Sequence, residues 1–222
     1  LQTIDEESSQ IVITVIQDHI EAKKTPHAAI LQIYSDCLKK VEEYDRALET
    51  LVELENAKTG KERERTLGRD VYSFAEEMLN LRESTIAARA FDSLVTNWPK
   101  SSFQTAAYLG RAEAFAQVDS FALSLRSIDD LIVNKKHAKF TLRALLLKGE
   151  LLLNRMDEPE QALAVYQQVQ QKYNERDAQK AAIVALGDIY FRLGQTDEAE
   201  SWYQRGANLA GDRDISFRNS VH

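Results

Sequence analysis

Little in this chain interrupts a helix. Three prolines and eight glycines are spread over 222 residues, too few for the many tight turns of a β-rich fold, and the shortage favours long helices. A single cysteine, Cys37, excludes an intrachain disulfide; a lone buried thiol behaves as a small core hydrophobe in any compartment. No apolar run approaches the ~18 residues of a membrane span, and the longest, IVITVI at 11–16, stops far short. A basic excess is missing too. The net charge is −7 and the isoelectric point near 5.3, against the basic face on which nucleic-acid binding draws. Even the densest basic run, GKERERTLGRD at 60–70, alternates in sign, as a solvated connection does. The chain opens on Leu1 rather than Met, as expected of a processed product or an excised segment.

Patterns that carry chemistry are equally scarce. None of His19, His27, His137 and His222 has a second His or Cys at metal-ligand spacing, and no H-E-x-x-H occurs. Gly187 and Gly194 fall on and after a helical pattern, not between a strand and a helix, so no phosphate loop is formed. There is no G-x-S-x-G elbow, and Cys37 lies mid-helix among aliphatic residues. Adjacent acids such as Glu76 and Glu77, or Asp129 and Asp130, point about 100° apart on a helix and do not converge. The expectation is a protein that is not an enzyme, with no metal and no cofactor.

What is present is a foldable composition, 44% hydrophobic and 28% charged, arranged as a repeat. A small residue followed four later by an aromatic or large aliphatic one recurs as Ala47/Leu51, Ala87/Phe91, Ala162/Tyr166 and Ala199/Tyr203, with Ala122 as a weaker candidate. Twelve residues before each of these, or thirteen for Ala162, stands another small residue: Ser35, Ala75, Gly110, Gly149 and Gly187. The thirteenth residue is expected in the turn near Pro159. Facing small residues let two helix backbones approach, and the side chain one turn away fills the wedge beside the crossing. Helical stripes agree: Ile183, Leu186, Ile189 and Tyr190 form one, and Leu145, Leu146, Gly149, Leu152 and Leu153 another. A helix pair of this kind leaves its second side apolar and has to stack on a neighbour. Residues 8–24 read as a further helix packing on the first pair, with Ser8 or Ser9 as N-cap. The tail 212–222 reads as polar and frayed.

In LGDIYFRLGQTDEAESWYQRG, residues Leu186, Gly187, Tyr190, Gly194, Ala199, Tyr203 and Gly206 fall on the signature positions of the tetratricopeptide repeat, which the chain resembles. Phe74, Ala75, Met78, Ala87, Phe91, Leu94 and Pro99 match it in a second unit. The resemblance implies an all-α, right-handed superhelical solenoid of about five helix pairs plus an N-terminal helix. It spans 1–222 as a single domain, with units at 26–57, 68–100, 103–134, 140–174 and 178–211. The stretch LVTNWPKSS, with Trp98 aligned to Tyr173, is similar to bacterial envelope members of the family, the outer-membrane assembly lipoproteins and Tol-associated periplasmic proteins. That likeness favours the periplasm or envelope over the cytoplasm.

The resemblance also implies a function: a scaffold or adaptor that holds a peptide or partner domain on a concave groove lined by the first helices. The positions it assigns there are Arg69, Tyr72, Glu76, Asn80, Tyr108, Arg111, Arg143, Glu150, Asn154, Asp188 and Arg192, with Asp36, Lys39 and Lys40 in the first unit. Tyr72 and Tyr108 stand out as residues of a type that partners desolvate, and truncating both is expected to weaken binding with little loss of stability. A lysine–asparagine pattern for gripping a chaperone tail is incomplete. The rival readings are a structural spacer within a longer envelope array and a helical accessory domain of an enzyme. In each the partner is another protein, not nucleic acid, and no membrane is spanned.

Overall fold

The computed structural model describes residues 6–21, 27–134 and 138–210, and every regular element among them is helical. Contacts divide the chain into two compact units, Leu1–Val118 and Asp119–His222. The single solenoid expected over 1–222 therefore has a division between Val118 and Asp119, inside the repeat expected at 103–134.

The first unit holds α1 (Glu6–Glu21), α2 (Ala28–Lys40), α3 (Tyr44–Ala57), the short α4 (Gly60–Thr66), α5 (Arg69–Asn80), α6 (Ser84–Asn97) and α7 (Gln104–Gln117). Its core runs from Ile13 through Leu38, Phe74, Met78 and Phe91 to Leu94, all fully or almost fully buried. These residues recur every three or four positions, so each helix turns one apolar stripe inward. As expected, α1 packs on α2. Ser8 and Ser9, however, lie inside α1 rather than at its cap, and the buried Ser9 hydroxyl shares a hydrogen bond with the Cys37 thiol. Burial pushes that thiol up from its ordinary value, consistent with a packing role. The run at 60–70 is not a plain connection: it forms α4, and Gly68 follows in the left-handed region with φ 81°.

The second unit holds α8 (Phe121–Asn134), α9 (Ala138–Glu150) continued by a π-helical turn (Leu151–Arg155), α10 (Pro159–Lys172), α11 (Arg176–Arg192) and α12 (Thr196–Ala210). Leu145, Leu152, Leu186, Ile189 and Val169 form its core. The tail 212–222 and His137 lie outside the described residues.

The small residues of the pattern lie inside, and three of its glycines meet aromatic rings: Gly110 that of Phe91, Gly149 that of Tyr166 and Gly187 that of Tyr203. Ser35, Ala47, Ala75, Ala87, Gly110, Gly149, Ala162, Gly187 and Ala199 are all buried. Ala122 is exposed, and the anchor of α8 is Ser124, fully buried with Ile128 buried four residues on. A second regularity confirms this register. A left-handed residue stands five positions before each anchor of a second helix: Glu42, Arg82, Asp119, Asp157 and Gly194. Three of these close a helix in the same way. Glu43, Glu83 and Gln195 donate backbone N–H groups to Leu38, Met78 and Tyr190 carbonyls at 2.9 Å, the 6→1 bond of a Schellman end. The extra residue between Gly149 and Ala162 is taken up by the π-helical turn, where Met156 N donates to Leu151 O at 3.0 Å. It is not in the turn near Pro159, which sits at the start of α10, where its fixed φ is an advantage.

Arg82 is exposed and holds φ 67°, a conformation in which a Cβ crowds the carbonyl. Arg82→Gly is expected to raise stability by about 1 kcal/mol, or ~2–4 °C in melting temperature, read by thermal unfolding.

Adjacent pairs are locked by a glutamine. Gln104 Nε2 donates to the Leu94, Val95 and Trp98 carbonyls at 3.2, 3.0 and 2.9 Å, satisfying the open end of α6. Gln179 does the same for α10, donating to Gln170 O at 2.9 Å and to Tyr173 O. The aligned Trp98 and Tyr173 are thus the last residues of one pair, each six before the glutamine that opens the next. Ser101 Oγ adds a bond to Leu67 O at 2.6 Å.

Candidate functional site

In the first unit, α2 and α5 are joined on the side of the expected groove residues by Lys39, whose ammonium lies 3.2 Å from both Asp36 and Glu77. Burial pulls the Lys39 pKa down, but the two carboxylates outweigh it and hold the ammonium above its ordinary value. Next to this link, α5 exposes Arg69, Glu76 and Asn80, while Val71, Phe74, Ala75 and Met78 on the same helix are buried. Lys40 is exposed on α2.

Tyr72 occupies the expected register and is half-buried. Its ring stacks on Phe103, centroids 5.1 Å apart, and meets Phe91 edge-on at 6.0 Å. Truncating it removes core contacts, so Tyr72→Ala is expected to lower stability, contrary to the sequence expectation for this residue. Arg111 and Tyr108 form a pair of their own. The guanidinium lies 5.1 Å over the Tyr108 ring and 2.7 Å from Asp92 of α6, with only 11% of the side chain exposed. Register places a side chain relative to its own helix; the covering by Phe103 and the pull of Asp92 come from neighbours.

In the second unit, Arg192 reaches from α11 to the end of α9, donating to Leu153 O at 2.6 Å and Asn154 Oδ1 at 3.1 Å. Asn154 is thereby coupled to Arg192. Asp188 accepts a hydrogen bond from Tyr203 Oη at 2.7 Å. Glu150 on α9 and Asp188 on α11 both lie near the buried Tyr166 phenol, whose pKa is pushed up to about 12, mainly by burial and then by these two carboxylates. Arg143 and Glu150 are exposed, as is Phe191, an aromatic not among the residues expected here. Phe191 falls four residues after Gly187, a spacing that elsewhere in the chain marks buried side chains such as Phe91 and Tyr166, so no local signal announces its exposure.

The phenol gives a pH test. Tyr166 titrates at about 12 when folded against 10.0 for the ordinary group, so the unfolded chain releases this proton first. Its contribution is whole below pH 10 and is lost as pH rises to about 12. Tyr203, raised by burial and by Asp188, acts in the same direction. Tyr166→Phe should flatten the fall in unfolding free energy over that window, measured by urea titration at successive pH values.

Among the described residues no group of three His, Cys, Asp or Glu side chains could hold a metal ion, and no helix is long and apolar enough to cross a membrane. His27 acts as the cap of α2, its Nδ1 accepting from Ala29 N at 3.4 Å.

No curated protein matches the chain. Solved structures of similar fold include two of nearly the same length. One is MamA RS-1 as its ArsTM double mutant, at 15% identity and TM-score 0.56, covering 82% of this chain and 94% of that one. The other is BtubC (BKLC) from P. vanneervenii, at 14% identity and TM-score 0.55, covering 98% of this chain and 92% of that one. Residues 143–174 and 181–213 each match a tetratricopeptide repeat model, where the sequence resemblance is fullest. The second unit thus carries two stretches that match the tetratricopeptide repeat, and each unit, taken by itself, is an all-α stack of packed consecutive helices.

Proposed function

We propose that the protein is a non-enzymatic scaffold that binds a peptide or partner domain on the faces formed by its first helices, α2 and α5 in one unit and α9 and α11 in the other. The observation that carries this reading is the division of α5 into a buried stripe and an exposed one of mixed charge, Arg69, Glu76 and Asn80. The second unit repeats it with Arg143, Glu150, Asp188 and Arg192 exposed. Charges spread this way select a partner and steer its approach more than they add affinity. Ordered side chains such as Arg192, already fixed by Leu153 and Asn154, lose little freedom on binding.

The test replaces the two tyrosines with residues that face solvent. Glu76→Lys with Asn80→Lys, and separately Glu150→Lys, should weaken capture of a native partner at least about tenfold while leaving the melting temperature unchanged. Full binding by both variants would remove the inner faces from consideration.

A further inference from the structure

The second helices of the first unit carry a groove of their own. Between α3 and α6 lies an open cleft of about 520 Å³. Leu48 and Val52 form its floor, Glu49 and Glu53 its rim on α3, and Arg89 and Asp92 its rim on α6. The charges on the two rims are not equivalent. Arg89 is ion-paired with Asp45, and Asp92 with Arg111 at 2.7 Å. Glu49 and Glu53 are both exposed, and no cation among the described residues pairs with either. They stand at i and i+4, where like charges on a helix repel and a cation between them relieves the strain.

We propose that this groove docks a basic segment of a protein partner, seating a lysine with its alkyl stem over Leu48 and Val52 and its ammonium between Glu49 and Glu53. A long cationic side chain suits an apolar floor with an acidic edge, because the methylenes are buried while the head stays paired. The face shares no lining residue with the inner faces above and stands or falls separately from them.

The experiment is a methyl NMR titration of the full chain with two short acetylated, amidated alanine–leucine peptides, identical except for a central lysine or glutamate. The lysine peptide should shift the Leu48 and Val52 methyl signals and the glutamate twin should not. Glu49→Gln with Glu53→Gln should lower affinity for the lysine peptide at least about tenfold with an unchanged or higher melting temperature. Equal binding of the two peptides, unchanged affinity in the double variant, or shifts confined to the α5 face around Glu76 and Asn80 would each overturn the proposal.

Discussion

Glu55→Ala is expected to destabilise the first unit by about 3–5 kcal/mol, the loss that follows removal of one member of a buried ion pair. The Glu55 side chain is fully buried and Lys58 nearly so. Glu55 Oε1 accepts from Lys58 Nζ and Asp70 N, and Oε2 from Gly68 N, all at 2.8 Å. Lys58 also donates to Asp70 Oδ2 at 2.6 Å and lies 3.5 Å from Thr66 O. One carboxylate thus satisfies the start of α5 and the cation at the end of α3, and it closes the loop that contains α4. Without it the buried Gly68 amide and the half-buried Asp70 amide lose their acceptor, and the ammonium keeps only Asp70 and the Thr66 carbonyl. Glu55→Gln should cost less, since one oxygen remains. Glu55→Leu with Lys58→Met should recover part of the loss, because no lone charge is then left inside. Urea unfolding measures all three. Limited trypsin digestion supplies a local readout: Lys61, Arg63 and Arg65 lie in α4, and cleavage there should accelerate in Glu55→Ala. A variant that unfolds at the wild-type urea concentration would mean that the network contributes nothing.

This residue also shows where sequence reading stops. Glu55 sits in ALETLVELENA as one acid among several, and nothing local marks it as buried. Its acceptors are matched by amides thirteen and fifteen residues away, brought to it where Gly68 turns left-handed. The small-residue pattern was legible because it is local and each residue answers to one requirement, close backbone approach. It failed at Ala122 for the same reason. Two small residues stood two apart, the alanine suited the rule as stated, and the feature that decides for Ser124 is a left-handed residue five earlier. That feature was hidden because Glu42, Arg82, Asp119 and Asp157 occupy a conformation usually signalled by glycine; only Gly194 announces it. On the candidate faces, the exposed charges of α5 followed from register alone. Tyr72 and Arg111 did not, since what covers them belongs to other helices. Gln104 and Gln179 were invisible as joints although their spacing from Trp98 and Tyr173 is the same, because a glutamine declares no partner until the preceding helix end is placed beside it.

The second large effect is expected where α6 meets α7. Phe91 is fully buried, and a methyl group added at Gly110 would overlap its ring. Phe91→Ala should cost about 3–5 kcal/mol, the transfer loss plus the cavity left behind. That is a large share of what a domain of this size has available. Gly110→Ala tests the same contact from the other side. A helical alanine gains about 1 kcal/mol over glycine, but here overpacking costs about 1–3 kcal/mol, because the ring has no solvent to move into. Gly187→Ala provides the control. The same addition comes within 2.6 Å of the Tyr203 ring, yet that ring is only half-buried on α12 and its hydroxyl is held by the exposed Asp188. It can swing aside, so the propensity gain should offset the contact and leave stability close to wild type. If tight contact is what costs at Gly110, Phe91→Leu with Gly110→Ala will be more stable than the sum of the single changes, a coupling that a double-mutant cycle reads directly. Additive single effects would mean that the glycine serves α7 alone. The contact between helix pairs would then rest on the Gln104 bonds to the end of α6 rather than on the fit of an aromatic ring against a bare backbone.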